Sequence, residues 1–112
     1  MKCAVPVTGG VMSPHFGHCE QFALFDVEKQ SKEITKKELV NSPGHQPGLL
    51  PEWLSEQGVS LIIAGGMGAR AQGLFRQNGI GVVLGALESD PEKAVLSYLE
   101  GRLATGDNVC DH

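Results

Sequence analysis

The sequence lacks the marks of several large functional classes. No basic run exceeds Lys36-Lys37, and the formal net charge is −4. Nucleic-acid binders gather Lys and Arg on one face, so that class is disfavoured. A small acidic protein can still hold an anion on local amides. No apolar run approaches the ~18–20 residues that span a bilayer. The stretch Met1-Lys2-Cys3-Ala4-Val5-Pro6-Val7 is too short and too interrupted for a signal peptide. The expectation is a cytoplasmic protein, with neither nucleic acid nor membrane as partner. The three cysteines, Cys3, Cys19 and Cys110, are odd in number and widely spaced. Reduced thiols or metal ligands fit them better than a disulfide framework. Internal repeats and low-complexity segments are absent. So are the gathered carboxylates of a metal-dependent nuclease and the nucleophile elbow of a hydrolase.

What remains is one compact domain. A chain of 112 residues leaves no room for two, and folding buries roughly two-thirds of the unfolded surface at this size. With 41% apolar and 20% charged residues, the composition is that of a globular protein.

The pattern along the chain predicts an antiparallel start. Residues 2–7 read as a buried strand with Cys3, Val5 and Val7 on one face. Pro6 lacks an amide proton, which favours a place near the strand end. Cys3 fits there as a small buried hydrophobe. Residues 8–17 read as a loop and residues 21–27 as the second strand. There Phe22 and Leu24 oppose Ala23, Phe25 and Val27. Residues 33–40 read as an edge strand with one wet face. Residues 41–48 form a second irregular loop.

The finish predicts parallel pairing. Residues 49–57 read as a helix with Leu50, Trp53 and Leu54 inward and Pro51 in its first turn. Residues 59–64 are nearly all apolar, as in a central parallel strand covered on both faces. Gly65-Gly66-Met67-Gly68 turns into a helix over 69–77, followed by a strand over 80–84. Asp90 as N-cap and Pro91 at the first position start a third helix, with Val95, Leu96 and Leu99 inward. The domain is expected to span residues 1–104, with 105–112 a flexible polar tail. The fold class expected is α/β: a five-stranded mixed sheet of order 3-2-1-4-5, strands one to three antiparallel and one, four and five parallel. Three helices cover both faces, as in a ribonuclease H-like layout. Crossovers between its parallel strands are right-handed.

Four constellations could carry chemistry. His15, His18 and Cys19 sit within the loop Ser13-Pro14-His15-Phe16-Gly17-His18-Cys19. Imidazole suits iron, zinc, copper and nickel; thiolate suits zinc, copper(I) and iron–sulfur species. The spacing matches no standard zinc motif, and a closed zinc site wants four ligands. Alternatively His15 packs under Phe16, His18 caps a turn and Cys19 starts the next strand with a buried thiol. His45 is a possible fourth donor, or an exposed loop histidine. The turn Gly65-Gly66-Met67-Gly68 can present free amides and a helix start to an anion, or merely permit a tight turn. It is neither a dinucleotide fingerprint nor a P-loop. Met67 could add a soft sulfur contact or simply pack. Cys110 and His112 could close over a metal, or belong to an ordinary terminus. The loops after the parallel strands share one edge, where open α/β sheets place ligands.

The stretches Ala4-Val5-Pro6-Val7, Ser13 to His18, Phe22 to Val27 and Leu61 to Gly68 resemble the family associated with dinitrogenase iron-molybdenum cofactor biosynthesis. The likeness covers about residues 1–104. It implies a ribonuclease H-like fold and a non-enzymatic carrier of a metal–sulfur cofactor: an iron–sulfur, iron–molybdenum or other thiometallate cluster. His15 is the ligand it favours, and cofactor-assembly or recipient proteins are the implied partners. The other class of reading is a regulatory or scaffold module that binds a protein through the edge strand 33–40 and holds no metal. A small enzyme acting on a phosphorylated ligand at 65–68 lacks an acid–base pair.

Overall fold

The computed structural model describes residues 1–13, 16, 19–44 and 48–106. The element order is β1 (Lys2–Thr8), β2 (Val11–Met12), β3 (Gln21–Glu28), β4 (Glu33–Asn41), α1 (Leu49–Glu56), β5 (Leu61–Ile63), α2 (Ala69–Gln77), β6 (Gly81–Val83) and α3 (Pro91–Leu99). The main path of the sheet runs β4-β3-β1-β5-β6, with β2 attached to β1. β4, β3 and β1 are antiparallel neighbours, and β1, β5 and β6 are parallel ones. The expected order therefore stands, but the sheet has six strands among the described residues, not five.

The sixth strand lies inside the stretch read as loop. Gly9 and Gly10 both take positive φ, 63° and 84°, as a two-residue hairpin turn of the primed type requires. They reverse the chain so that Thr8 faces Val11 and Val7 faces Met12. β2 takes the side of β1 that β5 has left, since the parallel pairing ends at Ala4↔Ile62. Pro6 falls beyond that end, so its missing amide removes no bond to β5.

Alternation divides the core between the two faces of the sheet. Ala4, Phe22, Leu24 and Ile62 point to one face, where Leu50 and Leu54 of α1 and Phe75 of α2 cover them. Cys3, Val5, Val7, Ala23, Phe25, Leu61 and Ile63 point to the other, under Ala94 and Val95 of α3. β5 and β6 are shorter than the apolar runs that contain them. Val59, Ala64 and Ile80 are buried without belonging to a strand, although the Ala64 amide still donates to the Val83 carbonyl at 2.9 Å.

β4 is an outer strand, pairing with β3 along its whole length. Its register skips Thr35 between Lys36 and Ile34, which makes a bulge beside two lysines. Charge and bulge together blunt an edge against further strands. At the other flank, Thr105 pairs with Ala86 as an antiparallel bridge, so ordered pairing continues past residue 104.

Candidate functional site

β1, β5 and β6 run the same way, so the segments that follow them meet at one edge. The first is the β2 hairpin and the donor loop behind it. Ser13 is buried, and its amide donates to the Pro6 carbonyl at 2.8 Å. The second is the glycine turn 65–68. The third is the segment 85–89 after β6, which the sequence reading left without a role. Leu87 in this segment is 68% exposed.

Backbone hydrogen bonds fix these segments to one another. Phe16 donates its amide to the Gly66 carbonyl at 3.0 Å, which holds Phe16 against the glycine turn. Gly85 donates to the Gly65 carbonyl at 3.0 Å, and Met12 donates to the Ser89 carbonyl at 2.8 Å. A cavity of about 140 Å³ lies between them, lined by Met12, Ser13, Gly65, Ala86, Glu88 and Ser89 among others.

The polar groups of the glycine turn favour an anion, against the Glu88 carboxylate on the cavity wall, which accepts from the Asp90 amide at 3.0 Å. The amide protons of Gly65 and Gly66 have no partner among the described residues. Gly68 caps α2 in an extended conformation, and no side chain caps the helix. The first turn of α2 holds no acidic residue and carries Arg70. Free amides and a helix start attract negative charge. At the end of β1, the Thr8 hydroxyl is buried and has no hydrogen-bond partner among the described residues.

Phe16 is packed into the core. Its ring meets Phe75 edge-on at 5.3 Å and Phe22 at 6.1 Å. Cys19 lies in the same cluster, 1% exposed. Burial pushes its thiol up to about 11, against a smaller lowering by a backbone hydrogen bond. The thiol is therefore neutral at physiological pH, and binding a metal would first cost a proton. Cys3 sits at 0% exposure in the opposite cluster, away from this edge, and burial likewise pushes it to about 11. Met67 is packed in the core at 1% exposure. Its carbonyl accepts from the Gln72 side chain at 3.0 Å.

Of the predicted site residues, the structure thus places Cys19, Gly65, Gly66, Met67 and Gly68. His15, His18, His45, Cys110 and His112 lie outside the described residues. Among the described residues, no three His, Cys, Asp or Glu side chains gather as a metal-binding group. No described helix is long and apolar enough to cross a membrane.

Comparison with known proteins adds the family. The uncharacterized protein MJ0580 of Methanocaldococcus jannaschii is 34% identical over 108 residues, covering 92% of this chain and 89% of the relative. A crystal structure of PH0822 is 27% identical with a TM-score of 0.85, covering 94% of both chains. The apo form of the orange protein from Desulfovibrio gigas shares the fold, with a TM-score of 0.73 at 23% identity, over 96% of this chain and 93% of that one. The family profile described as dinitrogenase iron-molybdenum cofactor matches residues 1–101, and the chain belongs to that family.

Proposed function

We propose that the protein binds and carries a preformed metal–sulfur cofactor at this edge, without chemical turnover, during cofactor assembly or delivery. One observation carries the reading: a hydrogen bond holds Phe16, which stands between His15 and His18 in the sequence, to the glycine turn that carries the unpartnered Gly65 and Gly66 amides. Imidazole nitrogens suit the metal ions of such a cluster. Amide protons and a helix start suit its negative charge. Family membership points the same way, toward iron-molybdenum cofactor biosynthesis.

In this reading His15 is the leading donor and His18 the second. The 65–68 turn cradles the anionic face of the cluster. His45, Cys110 and His112 are accessory donors supplied by the segments that follow β4 and Gly106. Cys19 serves as packing behind the loop, because its thiol is buried and neutral. The cargo is an iron–sulfur, iron–molybdenum or thiometallate cluster. The partners are the assembly or recipient proteins on either side of it, in the cytoplasm. The unit is a ribonuclease H-like carrier domain over residues 1–104.

Anaerobic reconstitution tests this, with iron and sulfide in one arm and tetrathiomolybdate in the other. Metal analysis and visible absorption read the result. The expected outcome is stoichiometric cluster uptake that falls in the His15→Ala/His18→Ala variant. Unchanged stoichiometry in that variant would remove these two donors from the site. Absence of uptake by the wild type in both arms would sink the carrier reading.

A further inference from the structure

At the ligand edge, segments distant in sequence are laid side by side by backbone hydrogen bonds. Phe16 donates to Gly66, and Gly85 donates to Gly65, both at 3.0 Å. Gly85 in turn accepts from the Gly106 amide at 2.6 Å. Next to it, Leu87 donates to the Ala104 carbonyl at 3.1 Å, and Ala86 faces Thr105 as an antiparallel bridge. Residues 104–106 therefore form a strap. It holds, from the flank, the segment that supplies Ala86 and Leu87 to the wall of the 140 Å³ cavity.

Gly85 is the pivot of this arrangement. Its φ is +73°, and a Cβ there would lie 2.1 Å from the Gly106 carbonyl oxygen. Only glycine permits both the conformation and the close approach. The strap itself is weakly held. Ala104, Thr105 and Gly106 are all exposed, so it buries little apolar surface of its own. Few buried contacts and exposed backbone hydrogen bonds mark a segment that opens at low free-energy cost.

We propose that the 104–106 strap is a positioning element of the cargo site, coupled to occupancy through Gly85. With the strap paired, residues 85–89 are held in register with the glycine turn, and the cavity has its closed wall. An occupant that contacts that wall favours the paired strap, and by reciprocity the paired strap favours the occupant. The inference rests on the proposed cargo site and adds to it a second element, remote in sequence, that tunes affinity.

Arg102 is exposed and stands just before the strap, so tryptic cleavage after it reports strap opening. The probe is tetrathiomolybdate under anaerobic conditions. Bound probe should slow cleavage at Arg102 by roughly fivefold or more, the lower end of ordinary coupling between sites. Cleavage at Lys29 and Lys32, in the distant β3–β4 turn, should not change. The Gly85→Ala variant should be cut rapidly at Arg102 with or without probe, and should bind the probe more weakly. Gly73→Ala is the control, since the space around a Cβ on that helical residue is open. Should Gly85→Ala fail to fold, the wild-type protection measurement decides alone. Probe binding with unchanged cleavage at Arg102 would overturn the strap inference and leave the cargo site standing. No tetrathiomolybdate binding to the wild type would overturn the strap inference, and would sink the cargo site as well if iron and sulfide also fail to load it.

Discussion

The amide of Phe16 donates to the carbonyl of Gly66 at 3.0 Å, while the Phe16 ring packs edge-on against Phe75 of α2. Phe16 is thus tied to the glycine turn by its backbone and to the core by its side chain. Phe16→Ala should remove the core anchor, at a cost of about 3 kcal/mol, the low end for deleting a buried phenylalanine. Urea denaturation would measure the loss. Cargo affinity should fall more than in a variant of equal stability loss made far from the loop. Equal affinities in two such variants would show that Phe16 acts through global stability alone.

The two buried thiols make a prediction about pH. Burial pushes Cys3 and Cys19 from the ordinary value of 9.0 to about 11. The folded state thus retains its thiol protons where the unfolded state loses them. Their contribution to stability is fully present below pH 9 and is lost as pH rises toward 11. Denaturation midpoints measured from pH 8 to pH 11 should fall, and should fall less in a Cys3→Ala/Cys19→Ala variant. Iodoacetamide should alkylate both residues far more slowly in the native protein than in urea at pH 8. Rapid native labelling of Cys19 would show that its loop opens and would restore it as a candidate ligand.

Much of this architecture was legible because periodicity reports which face is buried. The alternation from Gln21 to Val27 assigned Phe22 and Leu24 to one face and Ala23, Phe25 and Val27 to the other, and the two core clusters divide there. The β2 hairpin was missed because two residues carry no period. The Gly9-Gly10 pair was its one local signal, and glycines serve loops as readily as tight turns. The 85–106 pairing was illegible for a different reason. It is made by backbone groups of Gly85, Leu87, Ala104 and Gly106, and its one local signal, Gly85, does not say which distant segment approaches it. At the site, donor-rich composition drew attention to the stretch from Ser13 to Cys19, of which the structure places Ser13, Phe16 and Cys19. Composition alone could not say that Cys19 would be buried in the core cluster that holds Phe16 and Phe22, because a cysteine is equally at home as ligand or core residue.

Asp90 offers a test of a helix start that was readable in advance. Its carboxylate accepts from the Lys93 amide at 3.2 Å, and Pro91 follows at the first helical position. Loss of the cap in Asp90→Ala should destabilise the protein by about 1 kcal/mol, a fall in Tm of roughly 4 °C for a domain of this size. Asp90→Asn should retain most of the stability, because its amide oxygen can accept the same bond. Calorimetry on the three proteins would decide. If Asn behaves like Ala, the stabilisation comes from charge at the helix end and not from the cap bond.

The outer strand β4 separates the carrier reading from the scaffold reading. Lys36 and Lys37 stand at its centre, and the Thr35 bulge breaks its register with β3. Thr35 uses its hydroxyl to hold the Asp26 carbonyl at 3.2 Å, which fixes the bulge in place. An edge built to accept a partner strand would be flat and free of lysines; this one has the devices that repel a further strand. Replacing both lysines, as Lys36→Val/Lys37→Val, should therefore create association that the wild type resists. Light scattering coupled to size exclusion should show the variant growing in mass with concentration, relative to the wild type at matched loading. If the lysines are instead contacts for a protein partner, the variant should keep the wild-type mass and lose co-purifying protein. That pattern would favour the scaffold reading over the carrier.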